Sequence, residues 1–466
     1  MIRILTYQDF LEVGENEVKR KEFVRRLIEE HKGSNDYKIA RDAYEYYCHR
    51  NVTIRQFQKV LYKVTGEAVP DYYSPNFKMA CRHFKRFIVQ EVSHLLGNGV
   101  SWNDENTGEA LGTKGKSFDR RLVDAATKAL WGKVAFGFFN KDHVDVFSIL
   151  EFAPLYDEMD GSLKAGARFW QIDSTKPLRA TLYEIEGYTK YVWDMEEEST
   201  KDDTERTAYL QTITSTEADG DEIVDGQNYP TFPIVPLWAN PEHQSEIVGL
   251  REQIDCYDLI KSGFANTVDE ASLIYWTINN AGGMDQVDLA EFVERIRTIH
   301  AATVEDNGAS AESHTIEAPW ESREKLLDRL DKDLYKDAMA LDTERIAAGA
   351  TTATQIRASY EDLDHKCDEF EYQVIDFIEG ILAVAGIDDE PTFTRSQVIN
   401  QTELIEVIIQ AAPYLSEDYV TQKILEILGD GDKAEQMLED IDEDDMQRIT
   451  TEEEPEEEPI DEQIEA

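Results

Sequence analysis

Two helical segments with narrow apolar faces place the strongest constraint on the fold of this chain. The pattern predicts one helix from about residue 242 to 270, and a second that starts at Ser322, a suitable N-cap, and ends near residue 339. Their apolar stripes consist of Ile247, Leu250, Ile254, Tyr257 and Phe264 in the first helix and Leu326, Leu330 and Leu334 in the second. Residues 271–320 lie between them and contain one short predicted helix. Two such helices flanking a compact insertion predict a stalk that carries a small tip.

The remaining segments predict a mixed architecture in which helices predominate. Helical spacing covers residues 1 to about 65, 76–97, 118 to the Gly132/Gly137 region, Ile356 to about Ala385, and approximately 397–412 and 416–428. Alternating apolar and polar residues between about 135 and 240 predict a mostly antiparallel sheet. The expected fold class is therefore α+β.

Charge and motifs narrow the classes of function. The 466 residues include 96 Asp and Glu against 47 Lys and Arg, which gives a formal net charge of −49. A tight nucleic-acid binder carries the opposite charge, because its cations displace counterions from phosphates. Glycine-rich phosphate loops, GxSxG and HExxH are missing from the sequence, so enzymes that depend on these motifs are not expected. No apolar run predicts a membrane span, and the four widely spaced cysteines predict free, buried or half-buried thiols.

Two classes of protein are compatible with so acidic a chain. One is an acidic metal-dependent nuclease or hydrolase with a helical accessory domain, which needs carboxylates that converge on Mg²⁺. The other is an elongated, acidic scaffolding protein that binds basic partners. The histidine pairs His83/His94 and His300/His314 are the nearest candidates for metal ligands, and ordinary surface or hydrogen-bonded histidines are the alternative.

Six segments in a fixed order carry a family resemblance. The first is the tyrosine-rich turn YYCHRNVTIRQ at 46–56, and the third is KALWGKVAFGFF at 128–139, with Gly137 at its turn. The other four contain Asn76, Val89, Leu96 and Gly97; Pro154, Tyr156, Asp157 and Arg168; Pro236, Asn240, Ile254, Asp255, Tyr257 and Ser262; and Glu403 and Ser416. Together they resemble the portal proteins of siphophages, which have a clip, a stem, a wing and a crown. The chain departs from that pattern at Cys48, at Pro241 and at residues 349–354. The last of these segments reads GATTAT, whereas the family has a Ser-Gly pair there.

The resemblance implies a structural protein of the phage portal fold rather than an enzyme, with no cofactor and no membrane contact. In such proteins, copies form a closed ring, usually of twelve, through which double-stranded DNA passes without sequence-specific recognition. The implied partners are other copies of the chain, the terminase large subunit, a head-completion or adaptor protein, and the major capsid and scaffolding proteins. The implied location is the portal vertex of the virion capsid, after assembly in the host cytoplasm.

The resemblance also divides the chain into regions. They are a wing at 1–240, a first stem helix at 241–270, a clip at 271–320, a second stem helix at 321–338, a tunnel loop at 339–352, a long wing helix at 353–387, a crown at 388–440 and an acidic disordered tail at 441–466. Neighbouring copies would cover the stem stripes, and a helical hairpin packed on its own sheet is the alternative.

Three sets of residues are implied to act in these regions. The tunnel loop would face DNA through Asp342, Glu344, Arg345, Gly349 and Thr351. The clip would bind its partners through Trp276, Phe292, Ile296, Ile299 and Trp320, unless these side chains form the clip's own core. The stem would add Lys332 and Lys336 to its apolar stripe as cations near DNA, while pairing of its basic residues with carboxylates four positions away is the alternative.

Overall fold

The computed structural model places most of the chain in eleven described helices and fifteen strands. It describes residues 5–193, 205–215, 222–271, 275–279, 287, 310–314, 320–344, 353–396, 405 and 408–428, apart from the single positions 64, 73, 105 and 114. The helices are α1 Tyr7–Val13, α2 Glu17–Gly33, α3 Asn35–Tyr47, α4 Val52–Gln56, α5 His83–Leu96, α6 Thr107–Ala110, α7 Phe118–Gly132, α8 Arg251–Ala271, α9 Trp320–Asp337, α10 Ala353–Ala385 and α11 Glu417–Leu428. All strand pairs in this part of the chain are antiparallel.

Two sheets form the centre of the fold. The strands are β1 Val60–Tyr62, β2 Ala68–Pro70, β3 Val100–Ser101, β4 Val134–Asn140, β5 His143–Ser148, β6 Phe152–Tyr156, β7 Leu163–Trp170, β8 Leu178–Glu184, β9 Gly187–Trp193, β10 Leu210–Ser215, β11 Glu222–Gln227, β12 Ile234–Trp238, β13 Tyr275–Asn279, β14 Ser310–His314 and β15 Thr392–Phe393. One sheet has the order β6-β7-β8-β9 and the other β12-β4-β5. The antiparallel sheet predicted for residues 135–240 is therefore confirmed, as is the α+β class.

Capping side chains fix the starts of the first three helices. Thr6 and Asp9 form a capping box at α1, Asn16 accepts the Lys19 amide at α2, and Ser34 accepts the Tyr37 amide at α3. The apolar face of α2 then packs on the four-stranded sheet. On the same helix, Arg20 forms a buried ion pair with Glu184 of β8, in which Arg20 Nη2 lies 2.9 Å from Glu184 Oε1. Capping and amphipathic spacing together explain why this region folds as helices on a sheet.

The long helix α10 confirms the helix that the sequence predicts from Ile356 to about Ala385. Its buried face contains Leu363, Cys367, Phe370, Val374, Phe377 and Ile381, which alternate three and four residues apart. Two glycines let it approach the three-stranded sheet. A Cβ at Gly137 would lie 2.5 Å from the Phe377 ring, and one at Gly380 would lie 2.6 Å from a Val235 methyl carbon. Any larger residue at either position would push the helix off the sheet.

The described chain divides into two compact units. The first contains the described residues up to Leu341 together with Asp362–Ser396. The second contains those of Asp342–Glu361 and those that follow Ser396. In the second unit, α11 confirms the helix predicted at 416–428, and residues 408–411 are helical before a short 3₁₀ turn at Ala412–Tyr414. The predicted tail at 441–466 lies outside the described residues.

Several predicted boundaries are wrong. The segment 57–65 is not helical, because β1 and β2 form a hairpin whose turn contains Gly66 at a φ of 83°. The helix predicted from residue 76 begins at His83. The helix predicted from residue 242 begins at Arg251, because His243 and Gly249 adopt positive φ and the Asn240 side chain accepts the Gln244 amide in a turn. Ser322 lies inside α9, whose first residue is Trp320, rather than at its cap.

Candidate functional site

The two predicted stem helices, α8 and α9, pack against each other in antiparallel directions. Near the start of α8, Gln253 donates a hydrogen bond to Asp337 at the end of α9. Near the end of α8, the Thr267 hydroxyl lies 2.7 Å from the Arg323 guanidinium at the start of α9. The Trp320 ring meets the Phe264 ring edge-on at 5.2 Å. Trp320, predicted for the clip, is therefore a contact within the helix pair.

Burial changes along this helix pair. At its base, where α8 begins and α9 ends, Ile254 and Leu334 are 0% exposed, and Ile247 and Leu250 are buried in the turn before α8. Tyr257 and Leu330 are half-buried. At the distal end, Leu326 is 43% and Trp320 47% exposed. The predicted stripe is thus covered at the base and open to solvent at the far end.

An aromatic cluster joins the base of the pair to α5. The His83 ring lies edge-on to Tyr257 at 5.1 Å and to Tyr335 at 6.1 Å. Its Nε2 is 2.7 Å from Asp331 Oδ1 of α9. Burial lowers the pKa of His83, although the neighbouring carboxylate acts in the opposite direction. His83 therefore fixes α9 against α5, and the sequence had marked it only as a possible metal ligand.

The other face of α8 binds an extended segment, residues 76–82, which we call the strap. Three backbone amides of the strap donate to three side chains of α8. Phe77 N lies 2.7 Å from Asn266 Oδ1, Met79 N 2.9 Å from Ser262 Oγ, and Cys81 N 2.8 Å from Asp258 Oδ1. The strap residue numbers rise as the helix numbers fall, so the two segments run in opposite directions.

The geometry of helix and extended chain explains this ladder. Two residues of extended chain advance by roughly 6.6 Å, and four residues of α-helix advance by about 6 Å. Every second amide of the strap therefore meets every fourth residue of α8. Asp258, Ser262 and Asn266 are all buried, so the ladder supplies acceptors to amides that water reaches poorly. For this reason the strap remains extended although its spacing had predicted a helix.

Two carboxylates of α8 extend the ladder to α3 and α4. Asp255 accepts hydrogen bonds from the Tyr46 hydroxyl at 2.5 Å and the Thr53 hydroxyl at 2.7 Å. Asp258 accepts a hydrogen bond of 2.5 Å from the Asn51 side-chain amide. Burial raises the pKa of Asp258, while its hydrogen bonds oppose that shift. Asp255 and Ser262, two residues that match the family pattern, thus have a structural role as hydrogen-bond acceptors, which the sequence did not reveal.

A buried ionic network holds the base of the helix pair. Lys366 of α10 places its Nζ 2.9 Å from Glu91 Oε2 and 2.8 Å from Glu246 Oε2. The same nitrogen lies 3.3 Å from the carbonyl oxygen of Ala338, just after α9. Burial raises the pKa of Glu91 to about 7, and the two carboxylates raise the pKa of Lys366 against the effect of burial. One cation therefore bridges two acidic side chains from different segments.

Four basic residues of α9 fall into two groups. Lys325 and Arg329 pair with Glu321 and Asp333, four positions away, at 3.7 Å and 3.5 Å. Lys332 and Lys336 are exposed and have no ion pair among the described residues. The helical pairing considered as an alternative thus accounts for the first group, while the second group remains available as proposed stem cations.

The structure describes only part of the predicted loop and clip residues. Glu344 donates its amide to Asp342 Oδ1 at 3.2 Å, whereas Arg345, Gly349 and Thr351 lie outside the described residues. Trp276 is on β13, opposite Ser313 of β14. Phe292, Ile296 and Ile299, with the short helix predicted around them, also lie outside the described part.

The described residues show few features of a metal site or a membrane span. Within the described ranges, no three His, Cys, Asp or Glu side chains are grouped so that they could hold a metal ion. Among the same residues, no helix combines the length and apolarity that crossing a membrane requires. All four cysteines are free, and Cys256 is exposed, contrary to the expectation of burial.

Comparison with known proteins gives consistent results. Residues 27–447 match the family model described as phage portal protein, SPP1 Gp6-like. The portal protein of Clostridium phage phiCD119 is 27% identical over 184 residues, which are 38% of this chain and 41% of that protein. The portal protein of Bacillus phage SPP1 is 23% identical over 427 residues, 83% of this chain and 79% of that protein.

Among solved structures, a chain from the neck of an empty GTA particle, computed with C6 symmetry, has a TM-score of 0.46 and 12% identity. The match covers 75% of this chain and 90% of that one, and at this score it adds no support. Because the family model spans residues 27–447 of 466, this chain belongs to the SPP1 Gp6-like family of phage portal proteins.

Proposed function

We propose that copies of this chain form a closed ring at one vertex of a phage capsid, through which double-stranded DNA enters during packaging and leaves during ejection. Family membership supports the portal role. The observation that carries the ring is the change in burial along α8 and α9: Ile254 and Leu334 are covered within one copy, while Leu326 and Trp320 are not. Neighbouring copies would cover this open end, and cyclic symmetry provides such contacts between two different faces of each subunit.

Within this ring, α8 and α9 form the stem, and residues 271–320 form the clip at its end. The clip is the proposed docking site for the terminase large subunit and later for a head-completion or adaptor protein. The wing and crown contact the major capsid and scaffolding proteins. Assembly takes place in the host cytoplasm, and the finished ring is part of the virion.

The tunnel loop, residues 339–352, faces DNA in this proposal. Its acidic residues Asp342 and Glu344 outweigh the single cation Arg345. Each phosphate contact must break as the duplex advances, so a weakly attractive lining favours movement over retention. Lys332 and Lys336 on α9 supply cations on the stem.

The ring is tested by mass photometry and negative-stain microscopy of the purified chain. A ring of about twelve copies of the 53.4 kDa chain has a mass of about 640 kDa and a central hole wide enough for duplex DNA. A species that remains monomeric or dimeric over a wide range of concentration would contradict the proposal. It would instead favour the acidic hydrolase or scaffolding alternatives.

A further inference from the structure

A short basic region stands out in this acidic chain. Residues 50–86 contain eight Lys and Arg and two Asp and Glu, in a protein whose formal net charge is −49. The region includes α4, the β1–β2 hairpin and the strap. Four of its cations, Arg55, Lys78, Arg82 and Lys85, are exposed. None of the four has a carboxylate within ion-pair distance among the described residues.

The same region exposes large apolar side chains. Tyr62 is 74%, Tyr72 82% and Phe77 52% exposed. Phe57, Leu61 and Met79 are also exposed. These side chains and the four cations all belong to residues 50–86, and we call the exposed surface of this stretch the basic face. Aromatic residues, Met and Arg are the residue types enriched at protein–protein interfaces, where they combine contact area with charge.

The ladder on α8 holds part of this face rigid. The amides of Phe77, Met79 and Cys81 are bound to α8, so the backbone that carries Lys78 and Arg82 is fixed before any partner arrives. A preorganised surface loses less conformational entropy when it binds.

A complementary surface lies on α10. Asp362, Glu369 and Asp376 are exposed and are spaced seven residues apart, so they lie along one side of the helix, away from its buried stripe. Glu379 continues the row, and Tyr372 within it is 69% exposed. We call these five residues the acidic ridge. No ion pair involves its four carboxylates in the described part of the chain.

We propose that the basic face of one copy binds the acidic ridge of the next copy in the ring. The proposal depends on the ring proposed above and specifies its two contacting faces. A head-to-tail cyclic interface needs two different, complementary patches on each subunit, and these two differ in charge while both carry exposed aromatic rings. Duplex DNA is the weaker candidate for the basic face, because its bases are already stacked on one another and do not stack on exposed Tyr and Phe rings.

Charge reversal in both directions tests the pairing. One variant combines Lys78→Glu with Arg82→Glu, and the other combines Asp376→Lys with Glu379→Lys. Each variant alone would bring like charges together at every interface, and the ring population should fall by at least about tenfold. An equimolar mixture should form rings again, because alternating copies restore opposite charges at each contact. A chain with all four substitutions should also form rings.

The control combines Lys176→Glu with Arg179→Glu, which makes the same charge change at exposed positions before and within β8. It should form rings like the unchanged chain, and thermal unfolding of every variant should match that chain. Rings from both reversed variants alone, or no rings from their mixture, would overturn the pairing. So would loss of duplex-DNA binding from the Lys78/Arg82 variant with its rings intact, which would assign the basic face to nucleic acid. If the unchanged chain itself forms no rings, the proposed function fails instead.

Discussion

The two ends of the helix pair α8–α9 differ in what covers them. At the base, Ile254 and Leu334 are fully buried, and Lys366 bridges two acidic side chains. At the distal end, Leu326 and Trp320 remain exposed, and the ion pairs are surface pairs within one helix. The base therefore depends on the fold of a single copy, while the distal end has apolar surface left for a neighbour. Substitutions at the two ends should accordingly separate folding from assembly.

The largest effect is expected from removing the cation at the base. Lys366→Met leaves Glu91 and Glu246 buried without a counter-charge and should lower the free energy of unfolding by about 3–5 kcal/mol. The measurement is urea unfolding followed by circular dichroism. Lys325→Met, which breaks only the exposed pair with Glu321, should leave the unfolding midpoint unchanged. Equal losses from both substitutions would contradict the contrast between base and distal end.

Leucine truncations compare apolar packing at the two ends. Leu334→Ala should destabilise the monomer by about 2–5 kcal/mol, because it leaves a cavity in a filled core. Leu326→Ala should change monomer stability by less than about 1 kcal/mol but should shift the assembly equilibrium away from rings. Unfolding curves of the monomer and mass photometry of assembled samples measure the two effects separately. If Leu326→Ala leaves assembly unchanged, the distal stripe is not a subunit contact.

A smaller effect is expected in the ladder between the strap and α8. Ser262→Ala removes the buried acceptor of the part-buried Met79 amide and should cost about 1–3 kcal/mol. Amide hydrogen exchange should become faster at Met79 and its neighbours in the strap. Ser174→Ala, at an exposed turn, is the matched control and should leave the exchange of these amides unchanged.

The smallest effect is the pH dependence that Glu91 adds. Its pKa of about 7 exceeds the ordinary value of 4.5, so the folded chain holds this proton more tightly than the unfolded chain. The stabilisation is fully present below about pH 4.5 and is lost as the pH rises through about 7. Relative to Glu91→Gln, the unchanged chain should gain at most about 1.4 kcal/mol as the pH falls from 7 to 6. A constant difference across that range would show that Glu91 stays ionised.

Much of the fold follows from patterns in the sequence. The buried stripe of α10 and the alternation in β4–β9 each indicated the correct type of element. The predicted helix boundaries were wrong where side chains from distant segments, rather than nearby backbone carbonyl groups, accept the hydrogen bonds of the backbone amides. Residues 76–82 have helical spacing, yet Asp258, Ser262 and Asn266, almost two hundred residues away, bind their amides and keep them extended. The i, i+4, i+8 spacing of these three polar residues on α8 was the one signal in the sequence that could have indicated the ladder.

By itself, the sequence determined that this chain is an acidic α+β protein with two narrow-faced helices around an insertion, and six ordered segments indicated the family. Periodicity can do this because it depends only on which side of an element is apolar. The tertiary structure decided which half of the apolar stripe on α8 and α9 is covered, and it placed Lys366 between Glu91 and Glu246. Those outcomes depend on contacts between distant segments, and local spacing contains no information about what will lie against a face.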